Sequence, residues 1–158
     1  MVAVTIRSWQ LMAIQVWKLT PEFKDKRGFI ARLIDQDKFP LHSVLYIKSK
    51  KGTVRANHYH TKDVHYVFCV SGRFRYWEKD MRKAKAKLES VILKPGDMVL
   101  TQPMVAHAME FLADTVFLAF TTEGRSQKQY EQEVVRIELV PASAKATAGR
   151  PAQSKKKA

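Results

Sequence analysis

A single cysteine in 158 residues rules out an internal disulfide framework, and Cys69 is read as a small buried thiol at home in a reducing compartment. No apolar run approaches membrane-spanning length, and no basic start, apolar stretch and small-residue cleavage site marks a secretory leader. A soluble, cytoplasmic protein with no membrane partner is the expectation. Sustained helical periodicity is also nearly absent, which turns attention to strands.

Acidic residues are missing altogether from positions 141–158, which hold five of the chain's Lys and Arg residues. That stretch has neither an aromatic residue nor a hydrophobic period and is expected to be a disordered basic tail. The formal net charge of +13 is therefore partly a property of the tail. A second basic cluster, Lys79, Arg82, Lys83, Lys85 and Lys87, reads as a solvated hairpin. With no recognition helix beside it, no nucleic-acid partner is expected, although a basic body would favour an anionic small molecule.

What the chain does contain is a series of short β-type runs. They fall at 13–19, 28–34, 43–48, 54–60, 64–71, 73–78, 88–93, 98–101, 107–112, 115–121 and 134–140, with one or two helical turns at 125–133. About eleven strands at this spacing predict an all-β sandwich or barrel. Gly52, Gly72, Pro95-Gly96 and Ala113-Asp114 mark corners. Residues 1–12 are read as an N-terminal extension, 13–140 as one domain, and a 46% hydrophobic content is enough for its core.

Histidines 58, 60, 65 and 107 carry the chemistry. Strand alternation puts His58 and His60 on one face. His65 is out of phase with them, but Thr61-Lys62-Asp63 suits a turn that resets the phase. One inward histidine is ordinarily a satisfied core residue, whereas four at such spacing favour a functional cluster. His42 lies outside the pattern. Tyr59, Tyr66, Tyr76 and Trp77 read as core or interface aromatics, Glu110 and Asp114 as surface and turn, and Gly28 as a backbone requirement.

Gly52, His58, His60 and Gly72 fit the first motif of the cupin superfamily, G-(x)5-H-x-H-(x)4-E-(x)6-G, with His65 at the glutamate position. The second motif, G-(x)5-P-x-G-x-x-H-(x)3-N, keeps Gly96 and His107 but has Pro103 one place late and Phe111 at the Asn position. The resemblance implies a double-stranded β-helix, the jelly-roll cupin barrel. Asp25-Lys26-Arg27-Gly28, Val44-Leu45-Tyr46-Ile47 and Arg55-Ala56-Asn57-His58-Tyr59-His60 narrow it to the nucleotide-sugar 3,4-ketoisomerases, over about residues 13–137. Ala56 stands where that motif has glycine, and Tyr59 where it has a small residue.

That resemblance implies an isomerase or epimerase of a nucleotide-activated keto sugar, in the formation of glycan precursors. His58 would remove a proton beside the ketone and His60 help return it on the neighbouring carbon. Arg55 would hold the pyrophosphate or the developing enolate, and Tyr46 would donate to a sugar or phosphate oxygen. A second reading makes His58, His60, His65 and His107 ligands of a divalent transition metal (Zn, Fe, Mn, Ni or Cu), as in a dioxygenase. A third is a non-catalytic cupin that binds a sugar or small acid. An apolar sheet face or edge left to cover predicts a homodimer.

Overall fold

The computed structural model describes residues 14–35 and 40–141. The extension expected at 1–12 and the tail expected from 141 onward lie outside the described residues, apart from Pro141 itself. The strands are β1 (Gln15–Lys18), β2 (Phe23–Asp25), β3 (Gly28–Ile30), β4 (Ser43–Ser49), β5 (Val54–His60), β6 (His65–Ser71), β7 (Phe74–Asp80), β8 (Glu89–Leu93), β9 (Asp97–Thr101), β10 (Val105–Phe111), β11 (Thr115–Thr121) and β12 (Val134–Arg136). One helix, α1 (Gln127–Glu133), precedes the last strand. None of the described helices is long and apolar enough to cross a membrane.

Two five-stranded antiparallel sheets, ordered β1-β9-β6-β11-β4 and β12-β5-β10-β7-β8, face one another as a jelly roll. The fold class expected from the motifs is the one observed. Every other residue of a strand points inward, and the inward residues change character along each strand. On β6 they run Cys69, Val67, His65; on β10, Phe111, Met109, His107; on β7, Phe74, Tyr76, Glu78. One end of the barrel is consequently hydrocarbon and the other is polar. Phe74, Phe111 and Phe117 form the apolar end, with ring centroids 5.5–5.8 Å apart, and burial of each contributes about 1.5–3 kcal/mol.

Two strands expected from the sequence keep less than half their length in the structure. The run at 28–34 pairs only as far as Ile30, in a separate hairpin with β2, a strand the sequence reading missed. The run at 134–140 leaves the sheet after Arg136, because Asn57 captures the backbone of residues 137, 139 and 140. The Asn57 carbonyl accepts from Ile137 N, its Oδ1 accepts from the amides of Leu139 and Val140, and its Nδ2 donates to Val140 O. These bonds replace a sheet ladder with a side-chain clamp.

Gly72 shows why a corner glycine is needed. Its φ is +82°, and a Cβ there would lie 2.2 Å from the Asp114 carbonyl oxygen. No side chain fits.

Candidate functional site: a four-histidine cup

The polar end of the barrel holds all four motif histidines. β5 delivers His58 and His60, β6 delivers His65, and β10 delivers His107 opposite His58. The register between β5 and β10 shifts between the His107–His58 and Ala108–Ala56 pairs, so Asn57 is the extra residue of a bulge. Ala56 and Asn57 both have positive φ, 67° and 55°. Met104, three residues before His107 where the second motif has glycine, has φ 63°. The two motif glycines this chain lacks are therefore missing as residues but kept as backbone conformations.

Each ring lies within 5 Å of the next around the cup. Centroids are 4.8 Å apart for His58–His60, 5.0 Å for His60–His65, 4.6 Å for His65–His107 and 4.7 Å for His107–His58. All four are buried, with His58 the most accessible at 9%. Nε2 of His58 and Nε2 of His60 are 3.1 Å apart. Burial, followed by the neighbouring imidazoles, pushes His58 down to about 3 and His60 down to about 4, and drives His107 well below the ordinary imidazole range. These three rings are neutral at pH 7 and carry lone pairs.

Two carboxylates stand behind the rings. Glu133 Oε2 lies 2.6 Å from His60 Nδ1, while Oε1 accepts from the backbone amides of Lys62 and Asp63. Burial works against its charge, but these donors prevail and hold Glu133 below its usual value. Asp63 has no exposed surface, and its Oδ1 accepts from Thr122 N, Thr122 Oγ1 and Glu123 N. Its Oδ2 accepts from the Arg125 guanidinium and lies 3.5 Å from His65 Nδ1, which is buried without a hydrogen bond. Burial raises the Asp63 carboxyl, but His65 and Arg125 outweigh it, so Asp63 is also held low.

A cavity of about 210 Å3 opens over the histidines. Arg55, on β5, and Arg125, in the loop before α1, both reach its lining, Arg55 anchored by Nε to Ser49 Oγ at 2.6 Å and by Nη2 to the Lys48 carbonyl. Arg125 lies over the Tyr130 ring at 5.3 Å, and Tyr130 in turn sits about 6 Å from the His58 and His60 rings. Tyr46 is elsewhere. It alternates with Leu45 and Ile47, which line the cavity, and so stands on the outer face of β4, 66% exposed. Arg55, His58, His60, His65 and His107 are thus brought together, and Tyr46 is not.

Sequence reading missed Asp63, Arg125, Tyr130 and Glu133. Asp63 carried a weak signal, lying between His60 and His65; the others come from a segment without periodicity that returns to the site only through α1 and β12. Also missed was the floor of the cup. Thr101 Oγ1 donates to Glu78 Oε1 at 3.0 Å and lies 2.6 Å from Tyr76 Oη, and the Tyr76 ring stacks on His107. Burial lifts Glu78 to about 7.

Residues 45–122 match the family model of the cupin domain. No curated protein matches the sequence. Among solved structures, the chain is similar to QdtA, a sugar 3,4-ketoisomerase from Thermoanaerobacterium thermosaccharolyticum in complex with TDP, with 19% identity, a TM-score of 0.64, and 82% of this chain and 91% of that one covered. It is also similar to a dTDP-4-dehydrorhamnose 3,5-epimerase from Sulfolobus tokodaii, with 24% identity, a TM-score of 0.61 and coverage of 73% and 72%. WlaRA, a TDP-fucose-3,4-ketoisomerase from Campylobacter jejuni, gives 16% identity, a TM-score of 0.61 and coverage of 78% and 89%. At these identities the likeness establishes the fold. Together with the family match, it makes residues 45–122 a cupin domain in fold.

Proposed function

We propose that this protein is an isomerase or epimerase of a nucleotide-activated keto sugar, acting by proton transfer through His58 and His60. The observation that carries the reading is a pair of neutral, hydrogen-bonded imidazoles facing a cavity flanked by two arginines. Moving a carbonyl along a sugar ring requires removal of an α-proton, an enediolate, and return of a proton next door. A neutral imidazole accepts the proton and Arg55 or Arg125 stabilises the oxyanion. Burial makes the rings weak bases; a bound substrate supplies the negative charge that raises them toward the working range. The named ketoisomerases and epimerases of the same fold support this substrate class.

Size is consistent with part of the substrate being inside. The cavity, about 210 Å3, is below the roughly 300–1,000 Å3 of pockets that enclose a whole drug-sized ligand. It takes the sugar ring, with the pyrophosphate at the arginines and the nucleoside beyond. The test is a panel of keto-sugar nucleotides in D2O followed by NMR. Deuterium entering a ring carbon beside the ketone with wild type, and not with His58→Asn, supports the reading; no binding or exchange across the panel overturns it.

A specific observation favours a second reading. Ring nitrogens of His58, His60 and His107 lie within 4.8 Å of one another, as do donor atoms of His60, Asp63 and His65. The 3.1 Å between the Nε2 atoms of His58 and His60 suits two ligands on one ion with bonds of about 2.0–2.1 Å. All-nitrogen donors backed by Glu133 and Asp63 fit a divalent transition metal. Such an ion would act as a Lewis acid on a sugar ketone or serve oxygen chemistry. Elemental analysis of protein purified without a chelating tag decides. About one metal per chain, lost in His65→Ala, supports this reading, and no metal after supplementation with Mn, Fe, Ni, Cu and Zn removes it.

A homodimer is proposed as well. β4 is an edge strand carrying Val44 and Tyr46, 61% and 66% exposed, and an apolar edge of that kind calls for cover. Sedimentation equilibrium giving a monomer mass at micromolar protein would overturn it.

A further inference from the structure

Donors and acceptors in the cup can be counted, and for uncharged imidazoles the count fixes a direction. Glu133 Oε1 already accepts from two backbone amides, so Glu133 is a carboxylate and its Oε2 accepts from His60 Nδ1. A neutral His60 with its proton on Nδ1 has only a lone pair on Nε2. The 3.1 Å bond to His58 then requires the proton to sit on His58 Nε2. His58 is left with its lone pair on Nδ1, which no hydrogen bond engages among the described residues.

We propose that Glu133 is a positioning residue that orients the chain Glu133–His60–His58, so that His58 donates from Nε2 and offers Nδ1 as the pair's free lone pair. His60 has none to spare. The roles implied by the motif resemblance are thereby narrowed: His58 is the base for both carbons, and His60 does not return a proton to carbon itself but passes charge toward Glu133. Applied to the sugar chemistry, this step rests on the reading given under Proposed function. The substrate C–H bond breaks, its electron pair enters the enediolate, and the proton goes to His58 Nδ1. The His58 Nε2–H then shifts onto His60 Nε2, whose Nδ1–H faces the Glu133 carboxylate; the hydroxyl proton of the enediolate passes to the former ketone oxygen beside it, and the reverse sequence along the histidines returns one proton to the neighbouring carbon. No co-reactant is consumed.

Glu133→Gln tests the direction. A glutamine keeps its carbonyl oxygen on the Lys62 and Asp63 amides only by turning its NH2 toward His60 Nδ1. Nδ1 must then be a lone pair, His60 carries its proton on Nε2, and His58 is forced to protonate Nδ1. Every tautomer in the chain inverts. Long-range 1H–15N spectra of the histidine rings, on the purified full chain, read this directly. Expected for wild type are a protonated Nδ1 on His60 and a protonated Nε2 on His58, with both assignments exchanged in the variant. A wild-type His60 protonated or metal-bound at Nε2, or a folded variant with unchanged tautomers, overturns the proposal. The wild-type spectrum alone decides if the variant does not fold. Where a keto-sugar nucleotide is turned over, the variant should lose ~10²-fold or more in kcat with KM little changed. Spectra as expected without turnover of any such nucleotide would sink the substrate reading and leave the hydrogen-bond direction standing.

Discussion

Glu78 and His107 are direct partners across the β7–β10 pairing, and both are driven toward neutrality by the same burial. Burial lifts the carboxyl to about 7 and sends the imidazole well below its usual range. At pH 6 the two are a protonated acid and a neutral base, and the floor of the cup carries no ion pair. Stability should therefore depend on pH in opposite senses for the two kinds of group. His58, His60 and His107 are protonated in the unfolded chain below about 6.5 but not in the folded one, so their contribution is complete above that pH and is lost as pH falls. Glu78 holds its proton longer when folded, so its contribution is present at low pH and is lost as pH rises toward 7. Between pH 4.5 and 6.5 three histidines oppose one glutamate. Urea titrations should show stability rising with pH across this range, by a few kcal/mol per pH unit at most (about 1.4 kcal/mol per net proton), and more steeply in Glu78→Gln. A flat profile would mean the rings are charged in the folded protein.

His58→Asn preserves size and polarity while removing the lone pair that accepts a proton. Against a keto-sugar nucleotide that wild type turns over, kcat should fall by ~10²–10⁴. Affinity for the nucleotide diphosphate portion should hold, because the arginines are untouched. Isothermal titration with the nucleoside diphosphate separates the two effects. Equal losses in both would argue that His58 supports binding and not chemistry.

Asp63→Asn should damage stability more than its position in a turn suggests. The carboxylate accepts three bonds on Oδ1 from residues 122 and 123, which an amide oxygen can keep. Its other oxygen faces Arg125, whose side chain is only 16% exposed. The variant sets an NH2 donor against that guanidinium and leaves a largely buried charge unpaired. A loss of about 2–3 kcal/mol is expected, somewhat below the ~3–5 kcal/mol for breaking a fully buried pair. The urea midpoint should fall with the slope unchanged.

The fold was legible because strand alternation and corner glycines are local signals. The runs at 54–60 and 115–121 coincide with β5 and β11 to the residue. Convergence of the four histidines was legible for the same reason, since the turn at 61–63 restores phase. Tyr46 misled because a landmark in a motif carries no sign for the face it occupies; alternation with Leu45 and Ile47 puts it outside. Ala56 looked like a departure from glycine, yet its φ of 67° shows the same backbone demand met by another residue. Glu133 could not be found from spacing. It is seventy-three positions from His60, and only the return of β12 alongside β5 brings it there.

That return depends on Asn57. β12 has three residues and pairs only with β5, Val134 opposite His60 and Arg136 opposite His58. An edge strand this short frays unless something holds its far end. Three side-chain hydrogen bonds from Asn57 to Leu139 and Val140 do so. Asn57→Gly removes them without straining the backbone and should cost about 2–3 kcal/mol at roughly 1 kcal/mol each. Asn57→Ala should cost about 1 kcal/mol more, because φ is 55°. If the clamp supports the site, amide exchange should quicken at Leu139 and Val140 and also across Val134–Arg136, and Glu133 should lose its hold on His60. The His60 Nδ1 proton would then exchange faster in Asn57→Gly than in wild type. Faster exchange confined to Leu139 and Val140 would instead show that β12 and the histidine cup stand without the clamp.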